Sequence, residues 1–183
     1  MNECFIHESA HVSETALIGR DTKIWINSQI RDDAYIGESC NIGKDTYIDF
    51  GVKVGDRVKI QNGVSIYHGV TISDDVFIGP NAAFTNDLYP RSFNTEWSVV
   101  ETFVGKGASI GANATIVCGV TIGSYSMIGA GSVVTKNVPP HALVVGNPAK
   151  RIGYVCRCGE KLKTSKCDKC DFILTDQDLN EEL

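Results

Sequence analysis

Every sixth residue from Ile6 is apolar: Ile6, Val12, Ile18, Ile24, Ile30, Ile36, Ile42, Ile48, Val54, Ile60, Ile66, Ile72, Ile78 and Phe84. With 43% of the chain hydrophobic, one phase would show this run by chance with a probability of roughly 10⁻⁵. Four residues after each aliphatic stands a small or β-branched residue, from Ala10, Ala16 and Thr22 to Val76 and Ala82. The register slips once and resumes at Val104, Ile110, Ile116, Ile122, Ile128 and Val134. A period of six does not return to one face of an α-helix. It predicts an all-β fold, a parallel β-helix of hexapeptide repeats, in which three hexads make a triangular coil. The twenty hexads predict six to seven coils. Glycine follows many of the aliphatics (Gly19, Gly37, Gly43, Gly55, Gly79, Gly105, Gly111, Gly123, Gly129) and is expected to let the corner turn.

Two segments leave the repeat. Residues 85–103 contain Pro90, a polar run and the aromatics Tyr89, Phe93 and Trp97, and read as an excursion loop. After Val138 come Pro139 and Pro140, then Val144-Val145-Gly146-Asn147-Pro148, which close the stack. Ala149 to Tyr154 is expected as a short helix. The organisation is therefore a β-helix domain over 1–153 and a cysteine-rich tail over 154–183. The acidic end from Asp176 to Glu182 is expected to be disordered.

Composition adds exclusions. The chain has 183 residues, a formal charge of −5 and no basic block, which speaks against general nucleic-acid binding. No stretch approaches a membrane span. Seven cysteines, an odd number, with no secretory leader, speak against a disulfide scaffold and for a reduced cytoplasmic protein. Four of them, Cys156, Cys158, Cys167 and Cys170, gather in the tail and could close a tetrahedral zinc site. Because the first pair is Cys-x-Cys rather than Cys-x-x-Cys, a reduced metal-free tail and a disulfide stay open beside zinc.

Residues 18 apart stack on adjacent coils, about 4.8 Å apart. One corner reads Gly19, Gly37, Gly55, Ser73, which is turn chemistry. The preceding corner in each coil reads Ser13, Arg31, Asp49, Tyr67, Thr85, and one residue on, Glu14, Asp32, Phe50, His68, Asn86. Chemical side chains replace glycine where the excursion loop departs. His68 and Asn86 are expected to stack there, beside Tyr67 and Thr85.

The runs Ile60-Gln61-Asn62-Gly63-Val64-Ser65-Ile66-Tyr67-His68-Gly69-Val70, Asp75 to Pro80, Phe84-Thr85-Asn86-Asp87, Gly111 to Gly119 and Val144 to Ala149 carry a resemblance. They are similar to hexapeptide-repeat N-acetyltransferases of nucleotide-linked 3-amino sugars, over nearly the whole chain. The resemblance implies a left-handed β-helix and a homotrimer binding acetyl-CoA between subunits. It also implies acetylation of a sugar amine for surface polysaccharide synthesis. Two branches compete. One acts on dTDP-linked 3-amino-3,6-dideoxyhexoses, the other on UDP-linked 2-acetamido-3-amino-glucuronate. The second typically carries a Trp-His-Phe-like run where this chain reads Trp25-Ile26-Asn27-Ser28-Gln29, so the first fits better.

Within that reaction a neutral amine attacks a thioester. His68 is the natural base at neutral pH. It could instead only hydrogen-bond substrate, with the departing thiolate collecting the proton. Asn86 would orient the amine or hold the acetyl carbonyl. A fixed donor for the oxyanion is expected from a corner N–H such as that of Gly111. Arg31 is a candidate for the diphosphate or a sugar carboxylate, and Asp32 and Asp49 for sugar or base donors. Coenzyme A is expected near Gly111, Ala112, Ala130 and Gly131, with Lys136, Lys150 and Arg151 for its phosphates, each of these also readable as a surface charge. Other classes fit worse. A γ-type carbonic anhydrase needs three gathered histidines, and positions 7, 11, 68 and 141 offer none. An ice-binding β-helix needs rows of Thr. A non-catalytic subunit and a hydroxyl-directed O-acetyltransferase remain as alternatives.

Overall fold

In the computed structural model, which describes residues 4–179, the hexads fold as strands of two or three residues, each followed by a turn. The inward aliphatic closes each strand, as in Ile24, Ile30 and Ile36, all fully buried. Burial of each such side chain is worth about 1.5–3 kcal/mol, and repetition makes one continuous core from Ile24 to Val144. The strands stack in parallel, in register at 18 residues (Phe5↔Lys23, Ile6↔Ile24), into three sheets. The first runs from Phe5–Ile6, the second from His11–Val12 and the third from Leu17–Ile18. Seven coils form, and Ala142–Val145 adds the first strand of an eighth. The stack exceeds the hexad count because Val138 pairs with Ile122 and Val144 with Ile128, a spacing of 16 that Pro139 and Pro140 make possible.

Glycines after the aliphatics do not make the turn. A Cβ on Gly19 would sit 2.5 Å from the backbone of Gly37, and one on Gly111 2.4 Å from Ala130. Their smallness lets successive coils approach. The turn itself is made two residues later in left-handed backbone by Asp21, Asn27, Asp33, Asp45, Asn81 and Asn113, or by Gly51 and Gly63. Asp and Asn tolerate this region through local hydrogen bonding.

The excursion is shorter than 85–103. Thr85 N–H still bonds Ile116 C=O at 3.0 Å, and the ladder resumes at Thr102. Register across the loop jumps to 32 (Ile72↔Val104, Ile78↔Ile110). Asp87 caps the N–H of Tyr89 at 2.8 Å, and Val100 N–H closes the loop base on the Asn86 carbonyl at 3.2 Å.

Ala149 to Tyr154 is not a helix. Lys150–Val155 is a strand antiparallel to Ala142–Val145, and Lys161–Leu162 pairs with it in turn. The exposed main-chain edge of the eighth strand favours strand pairing over a helix. Asp176–Leu179 is ordered as one helical turn, because Thr175 and Asp178 cap each other (Thr175 N–H to Oδ2 2.9 Å) and Asp178 pairs with Arg157 at 2.7 Å. Residues 1–3 and 180–183 lie outside the described residues, and with them the outer ends of both expected domains and the rest of the acidic end. Among the described residues no helix is long and apolar enough to cross a membrane.

Candidate active site

The edge between the second and third sheets carries no corner glycine after its aliphatics, and the side chains there bond one another along the stack. Ser65 pairs with Tyr47 below and Ala83 above, so His68 lies over Phe50 and under Asn86. The His68 ring stacks on the Phe50 ring at 3.9 Å with an 11° tilt, and its Nδ1 lies 2.8 Å from the Phe50 carbonyl. A carbonyl only accepts, so Nδ1 carries a proton, and in the neutral ring the lone pair is on Nε2. His68 is half-buried and lines a cleft of about 620 Å³ over the third sheet with Gly51, Lys53, Gly69, Thr71 and Glu101.

Asp49 supports this histidine from beneath. Its Oδ2 accepts the His68 N–H at 3.2 Å, and its Oδ1 accepts the Phe50 N–H at 2.8 Å and the Tyr47 hydroxyl at 2.9 Å. The Asp49 carboxylate is therefore engaged within the chain. Arg31 stands 3.4 Å from the Tyr47 oxygen, 3.7 Å from Asp49 and 3.8 Å from Asp32. Tyr47 and then the two carboxylates push its pKa above the ordinary guanidinium value. Ser13 Oγ donates to Asp32 and holds that carboxyl below the usual range. Burial pushes the Tyr47 phenol up. Arg31 and Asp32 line a second cleft of about 500 Å³ lower on the same edge, with His11, Ser13, Glu14 and Gln29.

Other expected residues meet this edge less directly. Tyr67 is exposed, its ring 5.7 Å from that of Tyr47. Thr85 Oγ1 accepts the Cys118 N–H at 2.9 Å in the next coil. Asn86 stands one coil above His68, but the returning limb Val99–Glu101 forms the cleft wall. Sequence reading missed Tyr47, Lys53 and Val99 to Glu101. Tyr47 was visible as the outward residue between Gln29 and Ser65, whereas the returning limb has no repeat to betray its position.

The expected coenzyme residues divide among three places. Gly111, Ala112, Ala130 and Gly131 stack on the edge between the first and second sheets, across the second sheet from His68. Lys136 follows Asn86 and Cys118 up the His68 edge. Lys150 and Arg151 lie on the closing strand, where Arg151 donates to the Tyr154 hydroxyl at 2.6 Å. The Gly111 N–H is not an oxyanion donor, because it bonds the Ile128 carbonyl at 2.8 Å within the ladder. Beside Gly131 the surface is open, with nothing within 4 Å of where a Cβ would stand.

In the tail, the Sγ atoms of Cys156, Cys158, Cys167 and Cys170 all lie within 4.8 Å of one another. Cys156 and Cys170 are 3.3 Å apart, Cys158 and Cys167 3.7 Å. A tetrahedral ion with bonds of about 2.3 Å to sulfur needs sulfurs about 3.7 Å apart, so the set fits zinc. Backbone N–H groups, first that of Lys169, lower Cys167 to about 7, while burial raises Cys156 to about 12.

Residues 15–49 and 101–136 match the family model of bacterial transferase hexapeptide (six repeats), and 34–68 that of the hexapeptide repeat of succinyl-transferase. The chain is 51% identical over 166 residues to dTDP-3-amino-3,6-dideoxy-alpha-D-galactopyranose 3-N-acetyltransferase of Aneurinibacillus thermoaerophilus, covering 87% of this chain and 83% of that one. This chain belongs to the hexapeptide-repeat N-acetyltransferases of nucleotide-linked amino sugars. The acetyltransferase is also similar to a mutant of perosamine N-acetyltransferase from Caulobacter crescentus, solved with CoA and GDP-perosamine. The TM-score is 0.56 at 26% identity, over 82% of this chain and 57% of that one. This chain thus spans little more than half of that protein. A putative acetyltransferase of Bacillus cereus shares the fold, with a TM-score of 0.55 at 24% identity, over 85% of this chain and 86% of that one.

Proposed function

We propose that this acetyltransferase moves the acetyl group of acetyl-CoA to the 3-amino group of a dTDP-linked 3-amino-3,6-dideoxyhexose, in the cytoplasm, for surface polysaccharide synthesis. The observation that carries the reading is the locked His68 ring. Its Nδ1–H is held by the Phe50 carbonyl, which leaves Nε2 as the acceptor of the neutral ring, and the side chain lines the cleft. The sugar nitrogen attacks the thioester carbonyl carbon and the C–N bond forms. The ammonium proton passes to His68 Nε2. The tetrahedral oxyanion collapses, the C–S bond breaks, and the departing thiolate takes up a proton. Asn86, one coil above, is the candidate to hold the amine or the acetyl oxygen. The dideoxyhexose is favoured over a uronate because Arg31, the cation expected to meet a carboxylate, already faces Asp32, Asp49 and Tyr47.

His68 and the small-residue edge at Ala112 and Ala130 lie on different edges of one chain. The reading therefore includes a homotrimer, in which a neighbour's edge brings acetyl-CoA to His68. It also includes a structural zinc ion held by Cys156, Cys158, Cys167 and Cys170, away from the chemistry. Turnover of acetyl-CoA with dTDP-3-amino-3,6-dideoxyhexose and with UDP-2-acetamido-3-amino-glucuronate tests the substrate. The dTDP sugar should have the higher kcat/KM, and the reverse order would overturn the assignment. His68→Ala should lower kcat by about 10²–10⁴-fold. A rate within about twofold of wild type from pH 6 to 8 would remove the base role.

A further inference from the structure

The third corner of each coil ends, near the top of the stack, in a column of rings. Tyr125 closes the sixth coil and His141 the seventh, with centroids 5.3 Å apart. Above His141, at 5.2 Å and 18°, lies Phe172 of the tail. These separations are close to the spacing of stacked strands, about 4.8 Å. Among the described residues only the first strand of an eighth coil is present, so Phe172 takes the place of its missing corner. Beneath it, His141 is fully buried. Its Nδ1 donates to the Val155 carbonyl at 2.9 Å, and its Nε2 has no hydrogen-bond partner.

What seats Phe172 there is not an apolar core. In the tail beyond residue 154, the buried apolar side chains are Val155, Cys156 and Cys167, while Ile173 is half exposed. Two turns build it: Gly159 N–H to Cys156 C=O at 2.8 Å, and Cys167 N–H to Phe172 C=O at 3.0 Å. Between the turns run the sulfur contacts Cys156–Cys170 and Cys158–Cys167, a surface ion pair of Lys169 with Glu160, and the Arg157 guanidinium 4.9 Å over the Phe172 ring. A segment this small holds its shape through a cross-link.

We propose that the ion held by the four thiolates is the clamp that seats Phe172 on His141, making the tail a metal-dependent terminal layer of the coil stack. This rests on the zinc reading above. The sulfurs fix the second turn against the first, and Phe172 ends the second turn. Without the ion, water reaching Nε2 would supply the hydrogen bond that burial denies it, so the layer has a reason to lift.

The experiment measures zinc content of the full-length protein, then labels histidines with diethyl pyrocarbonate before and after chelation, reading His141 by mass spectrometry. One zinc per chain is expected, absent from a Cys158→Ser/Cys170→Ser double variant. His141 should label about tenfold faster or more once the metal is removed, as local opening requires. Phe172→Ala should keep its zinc and label as fast as the stripped protein. A protein that neither carries zinc nor takes up cobalt(II) with thiolate charge-transfer absorption, or that holds its cysteines as disulfides, would end the zinc reading. One equivalent of zinc with His141 equally protected after chelation would end the clamp alone.

Discussion

At the scale of one residue, Asp49 decides how the edge is read. Its place in the column marked it as a candidate for sugar donors. Its three accepted hydrogen bonds give it another role, holding the backbone of His68 and Phe50 in place. Asp49→Asn keeps the shape and removes the charge, and hydrogen bonds to a charged group are worth about 1.5–3 kcal/mol. The expected result is a fall in kcat of about ten- to a hundredfold, with KM for the nucleotide sugar within about twofold. A raised KM at unchanged kcat would return Asp49 to direct substrate binding. The same reasoning separates Arg31 from a free cation, since the groups around it already balance its charge.

At the scale of the coil, packing between turns sets the sequence. Gly111→Val would push a branched side chain into the backbone of Ala130. Overpacking of this kind costs about 1–3 kcal/mol, and a chain of this length loses about 2–4 °C of Tm per kcal/mol. A thermal melt should show that drop, and an unchanged Tm would mean that the coils can spread. The fold was legible because each hexad repeats one physical demand, a buried aliphatic and a small neighbour. The chemical edge was legible for a related reason: Arg31 and Tyr67 stand directly after the aliphatic, where the other edges mostly carry glycine, and His68 follows Tyr67. What breaks the repeat was harder to read. Ala149 to Tyr154 reads as a short helix, and the strand Lys150–Val155 found there has a pairing partner set by tertiary contact and not by a local pattern. The cleft wall at Val99 to Glu101 depends on where a loop returns, which no spacing states.

At the scale of the whole molecule, the two ends of the stack differ. Each coil is bonded only to its neighbours, so stability is close to a sum of local and nearest-neighbour terms. In the lowest coil the inward Ile6 is 41% exposed, whereas Ala142 and His141 at the other end are fully buried beneath the tail. The molecule therefore has a polarity of stability. Opening should begin at the less buried end and travel one coil at a time, like a spring unwinding. Native-state hydrogen exchange should show this as a gradient: the N–H groups of Leu17 and Lys23 exchange first, and those of Tyr47, Lys59 and Phe77 follow in order. Uniform protection along the stack would show that the coils unfold as a single unit. With such a gradient, the His68 edge sits far enough from the fraying tip to keep its geometry while the first coil breathes.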